Sequence, residues 1–264
     1  MARLGDHHAA TKPPILWQFR LSHFNEKARW ALDYKGVAHA RQSLLPGFHV
    51  PRMWALSGQK QVPVLVYQGR AIAGSAAVID AIEEAHPDPP LYPAVPSERQ
   101  RALELAQYFD DRLGPHIRRA LFYEILPDPG YSTALLADGF SVTVRALYRL
   151  VFPALRAVMR RDMQIDDESA RESLDQTRVV LSRLGNQIQS SGYLVGSRFT
   201  VADLTAAALV SPVFQPPQFS YRFPAATEAV ERFREKVGHE SVGEWCRTIY
   251  ARHRGASAAR DRNE

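Results

Sequence analysis

Between residues 14 and 86 the apolar positions change period several times. The run ILWQF (15–19) is short and apolar and predicts a strand. From His23 to Lys35 the spacing lengthens. Phe24, Ala28, Ala31 and Leu32 recur at i, i+4, i+7 and i+8, one stripe of an amphipathic helix. Gly36 follows where a left-handed residue closes such a helix. HARQSLL (39–45) predicts a second strand, residues 46–61 read as irregular, and VPVLVY (62–67) predicts a third strand. Gln68-Gly69 turns the chain into RAIA (70–73), and a helix runs from Ser75 to His86, where Pro87 stops it. The order is β-α-β, a connection, then a β-hairpin and a helix.

Residues 86–98 carry five prolines and read as a linker. Everything beyond has helical spacing. A long helix begins near Ser97 and is interrupted at Gly114-Pro115. Further helices are predicted near 132–161, 167–190, 201–211, 224–237 and 241–253. The pattern predicts a small α/β domain over 14–90 and an all-α domain over 97–255. The polar ends, 1–13 and 256–264, are expected to be flexible.

Composition narrows the classes. At 264 residues with 45% hydrophobic and 10% aromatic positions, the chain is globular. Its one cysteine, Cys246, excludes a disulfide framework, a CxxC redox pair and a cysteine zinc cluster, and fits a reducing, cytoplasmic setting. A net charge of +5 is mild, and most arginines alternate with acids, as in SERQRALELAQYFDDR, so nucleic acid is not an expected partner. No metal is expected, and His7-His8 read as solvated. The most apolar long stretch, VTVRALYRLVFPALRAVMRR, is broken by Arg145, Arg149, Pro153 and Arg156, so no transmembrane segment is predicted. Burial in the helical domain, or a seat on a membrane surface, are its two remaining fates.

The candidate chemistry starts where the first strand meets the first helix, in SHFNEKARW. Ser22 is a favoured N-cap residue. The residue three positions on is Asn25, so the reciprocal partner of a capping box is missing. On the residues alone the cap is the favoured role; the alternative is that the hydroxyl faces a ligand, with His23 beside it as a rival or a bystander. Farther on, Thr200 and Asp203 form a T-x-x-D capping box, with Phe199 and Leu204 as its hydrophobic staple.

Taken together, the element order and the motifs SHFNEKARW, QKQVPVL and IAGSAAVIDAIE resemble the glutathione S-transferase family over Ile15 to His253. The resemblance implies a thioredoxin-like N-terminal domain and a helical C-terminal domain. It also implies glutathione as co-substrate, a hydrophobic electrophile and a homodimer. By that resemblance Ser22 is the hydroxyl that hydrogen-bonds the glutathione sulfur and favours its thiolate. The Val62-Pro63 bond is cis, and Gln61, Val62 and Pro63 offer main chain to the cysteinyl part. Ser75 opens a helix whose N-terminus seats the γ-glutamyl carboxylate.

Gly74 departs from the family's acid or glutamine, which leaves the carboxylate seat and removes a partner for the γ-glutamyl amine. The electrophile is expected near Phe24, His116, Arg119 and Tyr123. The expected activity is addition of the glutathione thiolate to electrophiles, of the kind that serves detoxification. A binding or scaffold protein without turnover is the alternative. Reduction through a mixed disulfide is disfavoured, because Ser22 replaces the thiol and Cys246 falls in the helical part.

Overall fold

A computed structural model describes residues 13–260. The chain runs β1 (Ile15–Gln18), α1 (His23–Tyr34), β2 (Ala40–Ser43), α2 (Val50–Ser57), β3 (Val64–Tyr67), β4 (Arg70–Ala73) and α3 (Ser75–Ala85). These elements form one mixed sheet in the order β2-β1-β3-β4. β1 and β2 are parallel, joined through α1, while β3 is antiparallel to β1 and turns directly into β4. This is the thioredoxin-like arrangement. Leu16 and Leu65 from the sheet, Ala28 and Leu32 from α1, and Val78 and Ile82 from α3 close its core.

The remainder is helical: α4 (Pro96–Arg112), α5 (Gly114–Ile125), α6 (Pro129–Leu136), α7 (Val142–Asp162), α8 (Asp167–Gln187), α9 (Val201–Phe214), α10 (Glu228–Val237) and α11 (Glu240–His253). α9 is buried from Val201 to Val213, as expected of a helix that is apolar all round. α1 and α4 pack against it, which joins the two parts. The predicted capping box is present. Asp203 accepts from the N–H and the hydroxyl of Thr200, each at 2.9 Å, and from Leu194 N–H at 2.8 Å.

Four expectations are corrected. The stretch read as irregular holds α2, which escapes a periodicity test because Met53 alone is buried in it. The helix expected over 132–161 is two, parted at Gly139 (φ +80°) and restarted by Ser141, whose hydroxyl accepts from Val144 N–H. The third strand begins at Val64 rather than Val62, because Val62 and Pro63 lie outside the ladder. Residues 256–260, expected to be flexible, are tied down against the N-terminal domain. Ala258 N–H donates to Asp33 at 2.8 Å, Ala259 bridges His39, and Arg260 N–H donates to the His39 carbonyl at 2.8 Å. Residues 1–12 and 261–264, including His7 and His8, lie outside the described residues. Among the described residues no helix is long and apolar enough to cross a membrane.

Candidate functional site

Ser22 is the N-cap of α1, with extended backbone at φ −88° and ψ 128°. Its Oγ accepts from Asn25 N–H at 3.4 Å, longer than an ordinary N–H···O bond of about 2.7–3.2 Å. A hydroxyl that accepts keeps its own proton to give. Among the described residues the Ser22 O–H has no acceptor. Cap and ligand donor are therefore compatible roles of one atom, and the half-buried position leaves the hydroxyl reachable.

His23 is spoken for. Its Nε2 lies 3.1 Å from the Gly114 carbonyl, and a carbonyl only accepts, so the ring proton is on Nε2. Burial, reinforced by the nearby Arg118 charge, lowers its pKa from 6.5 to about 3, so the imidazole is neutral at physiological pH. It pins the start of α1 to the start of α5. Phe24 stacks beside His23 with ring centroids 4.7 Å apart and presses on Gly114, where an added Cβ would fall 2.3 Å from Phe24 Cζ. Gly114 is a close-approach glycine.

The other wall is built by the hairpin and α3. The Val62-Pro63 bond is cis, as expected, and so is Asp88-Pro89 in the linker. Gly74 N–H donates to the Pro63 carbonyl at 2.9 Å. Val62 N–H and C=O have no hydrogen-bond partner among the described residues. Trp17 pairs with Val64 in one ladder and Val64 with Ala73 in the other. Two residues beyond these last paired positions, Phe19, Val62 and Ser75 lie at the same end of the sheet, and Ser22 follows Phe19 by three residues.

Gly74 caps α3 with φ +93° and ψ 143° and offers no side chain, so the first N–H groups of α3 meet no capping oxygen. Ser75 is buried at that end, and Gln61 is exposed beside Val62. Lys60 pairs with Asp162, which brings the end of α7 to the edge of this corner. α7 also reaches the loop before α2, where Tyr148 O–H donates to the Pro46 carbonyl at 3.2 Å.

The residues expected to receive an electrophile divide. Phe24 stands beside Ser22. His116, Arg119 and Tyr123 turn to α8 and the turn before it. His116 Nδ1 lies 3.2 Å from Ser173 Oγ. Arg119 donates to the Met163 carbonyl at 2.9 Å and to Ser173 Oγ at 3.1 Å, and Tyr123 O–H donates to Asp167 at 3.0 Å. Tyr123 lines a cavity of about 350 Å³ with Ala120, Asp167, Leu174 and Phe233 rather than the corner at Ser22. The α5 residues that act on His23 are Gly114, through its carbonyl, and Arg118, through its charge.

The support beneath Ser22 has no counterpart in the sequence reading. Arg29, fully buried, donates to Gln18 Oε1 at 2.7 Å, to the Phe19 carbonyl at 3.2 Å and to the Ser22 carbonyl at 3.4 Å. It holds the turn that presents Ser22. Glu26 neutralises Arg29 at 2.8 Å and Arg254 at 2.7 Å, and Arg254 reaches Asp33 at 2.8 Å. The only local signal was the i,i+3 spacing of Glu26 and Arg29, which is equally at home on a solvated face. Among the described residues no three potential metal ligands are grouped.

Comparison with known proteins fits this geometry. A model of the glutathione S-transferase N-terminal domain matches residues 16–90, and one of the C-terminal domain matches residues 147–240. The chain is 25% identical over 202 residues to FtsZ-localized protein A of Caulobacter vibrioides, covering 75% of this chain and 76% of that one. It is 25% identical over 203 residues to a probable maleylacetoacetate isomerase of Caenorhabditis elegans, covering 76% and 79% respectively. In fold it is similar to a glutathione S-transferase of Methylobacterium radiotolerans solved in complex with glutathione sulfonate. That match has a TM-score of 0.59 and 18% identity, and covers 96% of this chain and 98% of that one. Both domain models fall in order on the sheet and on the helical part, and the chain belongs to the glutathione S-transferase family.

Proposed function

We propose that the chain binds glutathione at the sheet end and adds its thiolate to an electrophile. The observation that carries the reading is the pairing of the unpartnered Val62 main chain with the uncommitted Ser22 proton at one corner. An extended cysteinyl residue would satisfy Val62 by strand-like pairing, with Gln61 and Pro63 flanking it. The open N-terminus of α3, at Gly74 and Ser75, supplies N–H donors and partial positive charge to the γ-glutamyl carboxylate.

The sulfur then lies within reach of the Ser22 hydroxyl. A hydrogen bond to the charged form contributes about 1.5–3 kcal/mol, roughly one to two pKa units, which is enough to populate thiolate near neutral pH. In the transfer the sulfur lone pair attacks the electrophilic carbon, the C–S bond forms, and the leaving group departs with its bonding pair. The thiol proton goes to solvent. Phe24 is the apolar wall on the electrophile side. His116, Arg119 and Tyr123 contribute by fixing α5 against α8.

A single buried cysteine suits a reducing, cytoplasmic setting, and a homodimer is part of the same reading. The second reading is a glutathione-fold scaffold without turnover. It is favoured by Gly74, which removes a partner for the γ-glutamyl amine, and by the likeness to a protein named for its localization with FtsZ. The test is calorimetric titration with glutathione followed by turnover with an aryl halide. Binding with turnover supports the transferase, binding without turnover supports the scaffold, and no binding contradicts the transferase while leaving the scaffold standing.

A further inference from the structure

Two arginines follow one another on α5, and their side chains have different fates. Arg119 donates through Nε to the Met163 carbonyl and through one terminal nitrogen to Ser173. Arg118 is half-buried, its Nε is shut off from solvent without a hydrogen-bond partner, and among the described residues its guanidinium meets no carboxylate within ion-pair distance. A guanidinium presents five donors in a fixed fork and no acceptor. Leaving that fork partly buried and empty is costly, so it asks for an anionic partner.

Its position follows from its neighbours. Gly114, one turn earlier on the same face of α5, accepts the bond from His23, the residue next to Ser22. The Arg118 charge is felt at His23, which it helps to keep neutral. Asp162, at the end of α7, attracts Arg118 without pairing with it, and Asp162 Oδ1 is held by Lys60, the residue before Gln61. Arg118 thus follows by one helical turn the residue that α5 sets against His23, beside Ser22. The ring of Phe24 lies at Gly114, and the partly buried Phe122 follows Arg118 by one turn.

We propose that Arg118 binds the carboxylate of an anionic second substrate, so that the electrophile taken at Ser22 is an aromatic or unsaturated carboxylate rather than an uncharged hydrophobe. The assignment rests on the transferase reading for the word substrate, but the anion site itself does not need turnover. Phe24 and Phe122 flank the apolar body while the fork of Arg118 takes the two oxygens. With 4-chloro-3,5-dinitrobenzoate the glutathione sulfur attacks the carbon that bears chlorine. The C–S bond forms, the C–Cl bond breaks, chloride leaves with the electron pair, and the carboxylate stays on Arg118 throughout.

The experiment uses the full chain and two unreactive probes of matched shape, 3,5-dinitrobenzoate and 1,3-dinitrobenzene, titrated calorimetrically without glutathione. The unaltered protein is expected to bind the carboxylate about tenfold to a hundredfold more tightly than the neutral arene, the range of one charge-assisted pair. Arg118→Met should erase that ratio and leave the neutral arene and glutathione itself unaffected. Arg118→Lys should keep part of it. Equal binding of the two probes by the unaltered protein overturns the proposal without recourse to any variant. An unchanged ratio in a folded Arg118→Met also overturns it. So does a parallel loss of glutathione affinity, which would make Arg118 a contact of the tripeptide. Turnover of 4-chloro-3,5-dinitrobenzoate and 1-chloro-2,4-dinitrobenzene with glutathione is measured separately. Failure with both contradicts the transferase reading while the probe ratio still decides the anion site.

Discussion

Replacing Arg254 by methionine removes a guanidinium that links two buried carboxylates across the domain junction. Arg254 Nε lies 2.7 Å from Glu26 Oε1, and its second nitrogen lies 2.8 Å from Asp33 Oδ2 and 2.6 Å from Ser220 Oγ. Neither acid is left bare by the substitution. Glu26 keeps Arg29 at 2.8 Å and the Ser220 hydroxyl at 3.1 Å, while Asp33 keeps Arg41 at 2.6 Å and Ala258 N–H at 2.8 Å. The ion pairs with Glu26 and Asp33 and the charge-assisted bond to Ser220 are lost; a charge-assisted hydrogen bond contributes about 1.5–3 kcal/mol, and breaking one side of a buried pair costs about 3–5 kcal/mol. We expect a loss of about 3–5 kcal/mol, a large share of the roughly 5–15 kcal/mol typical of a folded protein.

Urea unfolding at pH 7, followed by circular dichroism and by tryptophan fluorescence, measures it. Trp30 is a local reporter, because its Nε1 donates to the His253 carbonyl at 3.1 Å and Arg254 lies over its ring at 5.8 Å. A pH series adds a sign. Burial alone raises the pKa of Glu26, but Arg254 and Arg29 outweigh it and hold the group low; for Asp33 burial is outweighed by Arg41 and Arg254. Acids held low in the folded state stabilise it above their unfolded pKa near 4 and lose that contribution as pH falls. The difference between the unaltered protein and Arg254→Met should therefore shrink on acidification. A loss below about 1 kcal/mol at pH 7, or a difference that is flat from pH 7 to 3, would refute the reasoning.

Three more perturbations probe single links. His23 is held at about 3 against 6.5 when unfolded, so its contribution is complete above pH 6.5 and is lost below it, by about 2 kcal/mol at pH 5. His23→Gln, which can still donate to Gly114, should flatten the stability profile from pH 6.5 to 4, and an unchanged slope contradicts the assignment. Gly114→Ala places a methyl 2.3 Å from Phe24 Cζ and should cost about 1–3 kcal/mol by thermal unfolding, relieved in the double variant with Phe24→Leu; additive losses would show that the two do not touch. Gly74→Glu should tighten glutathione binding by about 1–2 kcal/mol through the γ-glutamyl amine. It should also lower Tm, because a φ of +93° strains any residue with a side chain although the space is open. A folded variant with an unchanged Kd says that the amine is held elsewhere.

Local signals were legible in the sequence. The period changes at β1, α1 and the β3–β4 hairpin, the Thr200–Asp203 box and the break at Gly114 depend on neighbours within a few residues. α2 was missed because only Met53 in it is buried, so it carries no stripe. Off the apolar stripe of α1, the charged Glu26, Lys27 and Arg29 are buried too, which its spacing does not show. What covers them includes Asp110, Tyr221 and Arg254, from distant parts of the chain, and nothing near residue 26 announces them.

The choice between Arg118 and Arg119 was likewise hidden. It depends on the rotation of a helix that restarts at Gly114, and the rotation is set by His23 and Phe24 on one side and Ser173 on the other. At Ser22 local spacing named the residue but not its task, since a cap and a thiolate donor call for the same hydroxyl.

That task is the central claim, and the direct measurement is the ultraviolet absorbance of thiolate in bound glutathione, titrated with pH in the unaltered protein and in Ser22→Ala. The cap bond is long, at 3.4 Å, and His23, Arg29 and Glu26 hold the turn independently, so the variant should fold and retain most of its glutathione affinity. The account predicts that the bound thiol titrates about one to two pH units higher in Ser22→Ala, with the rate of addition near neutral pH lower by roughly tenfold to a hundredfold. Superimposable titration curves in two proteins that both bind glutathione would contradict it and leave Ser22 as a cap alone.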